Sequence, residues 1–410
     1  MQNLKDRLNT LNPIYLIWGY LLLLLILTYF KIQPYNYNLS SLIGLWKGFA
    51  ELNPSLIDKA FVIYNDGGYD GQFFYLIAKS LFTEGLNSFP IMDSFFIRFN
   101  RIGLSLLAGF LSSIFGFGSY PIITLCLLTL FHIYSFKLLF GILDTEIKYL
   151  SYFYLFSPFS LNSNLLLVSD SLFASFLIIC IYVLKINGFN LDNLKLAASN
   201  RSYNFISIFL TITFLCFIRE SGIIIAGTLL LLSFLDREIR ISIILLLSLG
   251  TYLLIIELIK LIPSFHHGTN PLGFLDLIDY PLFGFFKSIK FQSLSGIKNI
   301  FRELAKFPIF IFYIILALNL TNIKNRRDLI LYIPIYFILF TAGVGEVGYW
   351  LSFDNISRMF TISLPWLIFL KQEKKAHNDY YALRFSFIVL LLLIIRIIYI
   401  KTPMEFYIFQ

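Results

Sequence analysis

Long apolar runs separated by short polar segments make up most of the chain. The runs at residues 14–30, 241–262 and 385–400 approach or reach the roughly 20 residues that cross a bilayer as a helix. No water-soluble core could bury runs of this length. The pattern therefore predicts a polytopic membrane protein and excludes a soluble cytoplasmic enzyme.

Further spans are predicted near residues 121–141, 150–168, 171–186, 203–218, 221–235, 306–322, 329–345 and 358–370. The prediction is an all-α bundle of about eleven transmembrane helices. One apolar segment, residues 101–117, is rich in Gly and Ser. If this segment is counted as a span, the neighbourhood of Asp170 falls on the cytoplasmic side of the membrane, in conflict with the basic loops. We interpret it as a tilted or re-entrant helix that does not cross. Such a helix needs protein or water around it, so it is expected to line a cavity.

Basic residues set the predicted orientation. The net charge is +8 with only 14% charged residues, and the cations cluster in short loops near residues 185–201, 237–240, 324–327 and 371–375. The positive-inside rule places these loops in the cytoplasm, with the basic N-terminus as a retained signal anchor. No nucleic-acid-binding motif accompanies them, so the predicted partners include membrane lipids and no nucleic acid. Residues 1–410 form a single integral-membrane domain with long external loops at 31–100 and 263–305.

The first external loop carries the densest group of polar residues, at positions 65–78. It contains Asp66, Tyr69, Asp70 and Gln72 together with three glycines, which let the backbone turn tightly and approach a ligand. A helix is predicted to begin near Gln72, so backbone N–H groups and the helix dipole would hold the Asp70 carboxylate. Helix capping alone is the structural alternative to a functional role.

Three further polar residues lie at the ends of predicted spans, where such residues are costly and a functional role is the default hypothesis. Asp170 begins a span in an apolar stretch, and Ser169 or Asp170 could simply cap that helix. Arg219 and Glu220 lie between two apolar helices, and an ion pair between them across the turn is the structural alternative.

Other candidates have plainer explanations. Arg98 and Arg101 introduce the Gly/Ser-rich helix, and Arg358 precedes a late span; all three could extend to lipid headgroups. His266 and His267 are adjacent and have no third ligand nearby, which favours a surface turn over a metal site. A substrate-gating loop is the alternative for these histidines.

Three stretches of the chain combine acidic, aromatic and small residues in a recognisable order. They are Tyr69-Asp70-Gly71-Gln72-Phe73-Phe74-Tyr75-x-Ile77-Ala78, Pro158-Phe159-Ser160 through Ser169-Asp170-Ser171-Leu172-Phe173-Ala174, and Phe217-Ile218-Arg219-Glu220-Ser221-Gly222. Together they resemble segments of the GT-C superfamily of polyprenyl-phosphate-sugar-dependent glycosyltransferases, in particular the bacterial relatives of the GPI mannosyltransferases. The resemblance covers residues 60–260, and the C-terminal half matches only loosely.

The resemblance implies an inverting transfer of a sugar from a polyprenyl-phosphate donor to a cell-envelope glycan, lipid or protein acceptor. Asp70 holds the position of the general base. Burial at a membrane interface is expected to raise the pKa of its carboxyl toward the working pH. Asp66 is the second candidate, because the two acids could exchange roles or share a divalent cation.

The resemblance also implies roles for the other polar residues. Arg219 would bind the donor phosphate, for which a guanidinium fork is well suited, and Arg358 resembles the arginine that precedes a late helix in such enzymes. Arg98 and Arg101 are candidates for the same contact, and Asp170 could orient an acceptor or a cation. The segment 98–102 lacks the proline that often follows the first-loop motif, which leaves the acceptor side open.

Two other function classes fit the same residues. A transporter or flippase of lipid-linked glycans would line its path with them, although such proteins usually show paired halves. A non-catalytic protein of envelope assembly is the third. For the leading hypothesis, the expected location is the bacterial cytoplasmic membrane with the active site on its external face.

Overall fold

The computed structural model describes residues 11–84, 89–93, 98–189, 204–261, 278–290, 297–318, 320, 323, 325–374, 379–400 and 403–410. Most of these residues are helical, which confirms the predicted all-α class. The helices of the first half are α1 (Pro13–Ile32), α2 (Lys47–Leu52), α3 (Gly71–Lys79), α4 (Ile102–Phe115), α5 (Tyr120–Ile142), α6 (Ser151–Leu155), α7 (Pro158–Leu165), α8 (Asp170–Ile186) and α9 (Phe205–Ile218).

The second half continues with eleven helices of varied length. They are α10 (Gly222–Leu235), α11 (Ile239–Lys260), α12 (Phe283–Ser288), α13 (Ile297–Leu304), α14 (Lys306–Leu318), α15 (Arg326–Leu331), α16 (Ile333–Val344), α17 (Val347–Trp350), α18 (Phe353–Met359), α19 (Ser363–Lys374) and α20 (Asp379–Ile395). Two π-helical turns extend helices, at Ser80–Glu84 after α3 and at Arg396–Ile400 after α20.

Four helical segments in the described part of the chain are long and apolar enough to cross a membrane: Pro13–Tyr35, Phe117–Ile142, Ile239–Ile259 and Tyr381–Ile400. Helices α4, α9, α10 and α16 are also apolar but shorter. The long apolar helices support a membrane protein. The predicted count of about eleven full-length spans is not confirmed.

Breaks inside apolar stretches explain much of this difference. The span predicted at 150–168 consists of two short helices, α6 and α7, because Ser157 caps α7 and Pro158 occupies its first position. Proline there supplies no backbone N–H to continue the preceding helix. The span predicted at 358–370 is likewise divided, since α18 ends at Met359 and α19 begins at Ser363.

Helix α4 corresponds to the Gly/Ser-rich segment, and its small residues make close contacts with protein. Ser105 Oγ donates to the Phe74 carbonyl of α3 over 2.9 Å, and Gly109 lies against Ala78 and Phe82. The large residues Phe110 and Ile114 are exposed instead. The helix therefore packs roughly parallel to α3 and its π-helical extension, through a surface of small side chains.

A three-stranded sheet joins the first loop to the C-terminal tail. Strand β1 (Leu45–Trp46) pairs in parallel with β2 (Val62–Tyr64), and β3 (Phe406–Ile408) pairs antiparallel with β2. Asn65 N–H donates to the Glu405 carbonyl just beyond β3, over 3.0 Å. The apolar pattern does not predict these strands because each is only two or three residues long. The tail thus holds the backbone immediately before Asp66.

A polar contact joins α15 to the end of α10. Arg327 Nη1 donates to Asp236 Oδ1 over 2.6 Å.

Candidate functional site

Four acidic residues and four arginines from separate parts of the chain meet in one cluster. They are Asp70, Asp93, Asp170, Glu220, Arg98, Arg101, Arg219 and Arg358. Every member except Asp93 was a candidate from the sequence. The cluster joins the start of α3, the segment before α4, the start of α8, the turn between α9 and α10, and helix α18.

Asp70 lies between two of these arginines. Its Oδ1 is 3.1 Å from Arg98 Nη1, and its Oδ2 is 3.0 Å from Arg358 Nη2. Although Asp70 directly precedes α3, its side chain makes no capping hydrogen bond to that helix. The position therefore turns the carboxylate toward the arginines, and simple capping does not account for it.

The arginines decide the electrostatics of Asp70. Burial raises the pKa of its carboxyl, but Arg98, Arg358 and Arg101 outweigh that effect and hold the pKa well below its usual range. The expectation that burial would bring this pKa toward the working pH is wrong. Two of these three arginines come from the segment before α4 and the third from α18, so their proximity could not be read from the loop motif.

Arg98 is fixed independently of Asp70. Its Nε and Nη2 donate to the two carboxylate oxygens of Asp93 over 3.0 and 2.7 Å. Its guanidinium carbon also lies 4.0 Å from the centre of the Phe73 ring. Both contacts hold the guanidinium with one edge, Nη1, toward Asp70. The sequence analysis missed Asp93, whose only signal is that it precedes Arg98 by five positions.

Arg219 and Glu220 do not pair with each other, so the alternative of a local ion pair across the turn is wrong. Arg219 forms an ion pair with Asp170, and Glu220 accepts from Arg101 Nε and Nη2 over 2.7 and 2.6 Å. Burial raises the pKa of Glu220, but Arg101 outweighs it and leaves the pKa at about 2. The turn between α9 and α10 is thereby bound to α8 on one side and to the segment before α4 on the other.

Asp170 is buried at the first position of α8. Ser169 makes no capping hydrogen bond with its side chain. The Ser171 N–H instead donates to Ser163 Oγ, from α7, over 2.9 Å. Capping of α8 therefore does not explain Asp170, whose carboxylate pairs with Arg219.

Helix α18 holds Arg358 in position through two polar contacts. Arg396 donates to both oxygens of Asp354, over 2.7 and 2.9 Å, and Asn162 Nδ2 donates to Ser357 Oγ over 2.9 Å. Arg396 was not predicted from the sequence. Its signal was available, because an arginine within the apolar run at 385–400 is costly unless it has a partner.

Tyr349 of α17 is a further residue that the sequence analysis missed. Burial raises the pKa of its hydroxyl, and the negative charges of Glu220 and Asp70 raise it further. The nearby Arg101 and Arg219 lower it. Because these four charged residues all act on the Tyr349 hydroxyl, the side chain lies beside the charged cluster. An aromatic residue in an apolar chain carried no signal of its own.

The remaining first-loop candidates lie outside the cluster. Gln72 is buried and its Oε1 accepts from the Trp46 N–H over 3.0 Å, so it supports β1. Tyr69 packs near Lys31, whose Nζ is 5.6 Å from the ring centre. Asp66 is exposed and has no ion-pair partner within 4.0 Å in the described chain.

Asp66 and Asp70 do not fit a shared divalent cation. Each Asp70 oxygen already contacts an arginine, and the surrounding guanidinium groups would repel a cation. Among the described residues, no group of three or more His, Cys, Asp or Glu could hold a metal ion. His266 and His267 lie outside the described residues.

The close approach of the first loop to the membrane helices depends on Gly71. A Cβ atom there would lie 2.6 Å from the Leu166 carbonyl oxygen and 2.7 Å from that of Ile43. We expect Gly71→Ala to lower the free energy of unfolding by about 1–3 kcal/mol, as overpacking does. Gly118→Ala, where a Cβ meets nothing within 4 Å, is the matched control in thermal unfolding. Equal midpoints for the two variants would contradict the close approach.

Arg396 is expected to stabilise the fold through its ion pair with Asp354. Arg396→Gln removes both charge-assisted bonds to a buried carboxylate, so we expect a loss of about 3–5 kcal/mol in unfolding free energy. Arg302→Gln is the control, since Arg302 has a side chain 57% exposed and its nearest carboxylate oxygen is 3.9 Å away. Thermal unfolding in detergent measures both. An unchanged midpoint for Arg396→Gln would show that Asp354 does not depend on it.

Comparison with known protein families, with curated proteins and with solved structures finds no match to this chain.

Proposed function

We propose that the protein is a membrane glycosyltransferase that transfers a sugar from a polyprenyl-phosphate donor to a cell-envelope glycan, lipid or protein acceptor, with inversion. The observation that carries the proposal is the meeting of Asp70, Asp170, Arg219 and Glu220 in one cluster. These residues come from the first-loop motif and the two later stretches that carry the GT-C resemblance. Arg101 links them, because it binds Glu220 and lies near enough to Asp70 to lower its pKa.

Two unpartnered donors support an anionic substrate. The Nε–H groups of Arg219 and Arg358 are buried and have no hydrogen-bond partner among the residues that the structure describes. A buried donor without a partner is uncommon in folded proteins and calls for an explanation. The Arg358 charge also acts on Arg219, so one phosphate group between them could accept from both.

The chemistry follows from these positions. An acceptor hydroxyl gives its proton to Asp70 while its oxygen forms a bond to the anomeric carbon of the donor sugar. The bond from that carbon to the phosphate oxygen breaks, and its electron pair stays with the leaving polyprenyl phosphate. Arg219 and Arg358 stabilise the negative charge of the leaving group. Attack opposite the leaving group inverts the anomeric centre.

We also propose how the chain crosses the membrane. About eleven passages of the membrane are made by the four long apolar segments, the helices α8, α9, α10, α14 and α16, and the divided segments at 150–168 and 358–370. Helix α4 lies against α3 without crossing. The charged cluster then lies on the external face of a bacterial cytoplasmic membrane. The donor enters laterally between helices, and its lipid tail remains in the bilayer.

The test is an assay of the purified protein in proteoliposomes with a panel of radiolabelled polyprenyl-phosphate sugars and cell-envelope fractions as acceptors. We expect label to move from the lipid to the acceptor. Movement of the intact labelled lipid between leaflets, with no transfer, would instead establish the transporter alternative. No transfer and no translocation across the whole panel would leave a role in envelope assembly.

A further inference from the structure

We infer that Arg358 is an exchangeable partner of Asp70: it pairs with Asp70 before the donor binds and moves to the donor phosphate afterwards, so that the donor must bind first. The inference rests on the proposed function and adds an order of binding to it. It follows from the different ways in which the four arginines are held.

Three arginines of the cluster have their own acidic partners. Arg98 binds Asp93 through two hydrogen bonds and stacks on Phe73. Arg101 binds Glu220 through two hydrogen bonds, and Arg219 pairs with Asp170. Each of these guanidinium groups keeps a charged partner if Asp70 changes its contacts.

Arg358 differs from them. Among the described residues its only acidic partner within 4.0 Å is Asp70, which it contacts through Nη2 at 3.0 Å. Its Nε–H is buried and has no hydrogen-bond partner in the described part of the chain. The ion pair with Asp70 therefore uses the Nη2 donor of the guanidinium group and leaves the adjacent Nε–H donor unused.

A phosphate group satisfies Arg358 better than Asp70 does. Guanidinium and phosphate form two parallel charge-assisted hydrogen bonds, which would engage Nε as well as one Nη. The helix that carries Arg358 stays fixed through Asp354 and Ser357, so only the side chain has to move. Asp70 is 23% exposed at its side chain, and an anion can reach the pair.

The exchange changes the basicity of Asp70. The charged and titratable groups that face it are Arg98, Arg358 and Arg101, with Tyr349 nearby. When Arg358 leaves and a phosphate arrives, Asp70 loses one of its two directly bound cations and gains an anion in its surroundings. Both changes raise its affinity for a proton. Asp70 can then take the acceptor proton, whereas an acceptor that arrives first meets a carboxylate neutralised by two arginines.

The experiment measures the protonation of Asp70 directly. A carbodiimide labels protonated carboxyl groups, and mass spectrometry of the first-loop peptide quantifies labelling at each pH. The full-length protein in nanodiscs is labelled with and without a long-chain polyprenyl monophosphate, which has the donor phosphate but no sugar. Asp66 lies in the same peptide, is exposed, and serves as the internal reference. Lipid binding is measured in the same samples with radiolabelled polyprenyl monophosphate.

We expect the lipid to move the labelling midpoint of Asp70 upward by at least about one pH unit, a tenfold gain in proton affinity, and to leave that of Asp66 unchanged. In Arg358→Gln the midpoint should be raised already, and the lipid should shift it further by less than in the wild type. Arg302→Gln, an exposed arginine outside the cluster, should behave as the wild type.

Binding of the lipid without a shift in the Asp70 midpoint would overturn the exchange while leaving the proposed function standing. Failure of the lipid to bind at all would overturn both. The wild-type comparison needs no variant, so poor folding of Arg358→Gln would not remove the test.

Discussion

Replacement of Asp70 by asparagine should reduce the rate of sugar transfer by about 10²–10⁴-fold, the usual contribution of a general base. Asparagine keeps the shape of the side chain but cannot take the acceptor proton. Asp66→Asn is the matched control, because the same change is made four positions away at an exposed residue outside the cluster. It should leave most of the transfer rate intact.

Two outcomes would contradict the role of Asp70. Transfer at a wild-type rate in Asp70→Asn would remove it as the base, and a loss confined to Asp66→Asn would transfer the role to Asp66. Thermal unfolding of both variants is needed beside the assay, since Asp70→Asn also weakens the contacts to Arg98 and Arg358. The base assignment requires that activity fall much further than the folded fraction.

Replacement of Arg219 by glutamine should cost both stability and activity. It leaves the carboxylate of Asp170, which is 5% exposed, without its ion-pair partner. Breaking such a buried pair from one side costs about 3–5 kcal/mol. Thermal unfolding in detergent measures this loss.

A double variant separates the two roles of Arg219. Arg219→Gln with Asp170→Asn removes both charges, so much of the lost stability should return. Activity should stay low, because the proposed phosphate contact is still absent. Recovery of transfer together with stability would contradict the phosphate role and leave Arg219 as a structural partner of Asp170.

The sequence was sufficient to predict most residues of the charged cluster but not how they pair. Polar residues at the ends of apolar helices are few, and this scarcity made Asp70, Asp170, Arg219 and Arg358 visible. Their pairings depend on the meeting of separate elements, because Asp70 precedes α3, Asp170 begins α8, Arg219 follows α9 and Arg358 lies in α18. Nothing in the local sequence indicates that Arg219 reaches Asp170 while Glu220, next to it, reaches Arg101.

Contacts between distant elements also explain why the expectation about the Asp70 pKa was wrong. Burial was predictable from the apolar surroundings of the motif, and it does raise the pKa. The opposing effect comes from side chains brought in by other elements, above all Arg98 and Arg358. Long-range pairing also conceals the partner of Arg396, because Asp354 lies on a different helix.

The prediction of about eleven full-length spans is not confirmed for a different reason. Hydropathy averages over a window and does not register single residues that divide an apolar stretch. Ser157 and Pro158 divide one predicted span into α6 and α7, and the turn at residues 360–362 separates α18 from α19. Arg358 lies in the last turn of α18, directly before this second break.

The proposed function requires that the charged cluster transfer a sugar from a polyprenyl phosphate by direct attack of an acceptor hydroxyl. The anomeric configuration of the product, determined by NMR after reaction of the purified wild-type protein with a donor of defined configuration, tests this requirement. We expect a product of opposite configuration and release of free polyprenyl phosphate. A product that retains the donor configuration, or the absence of any released polyprenyl phosphate, would contradict it.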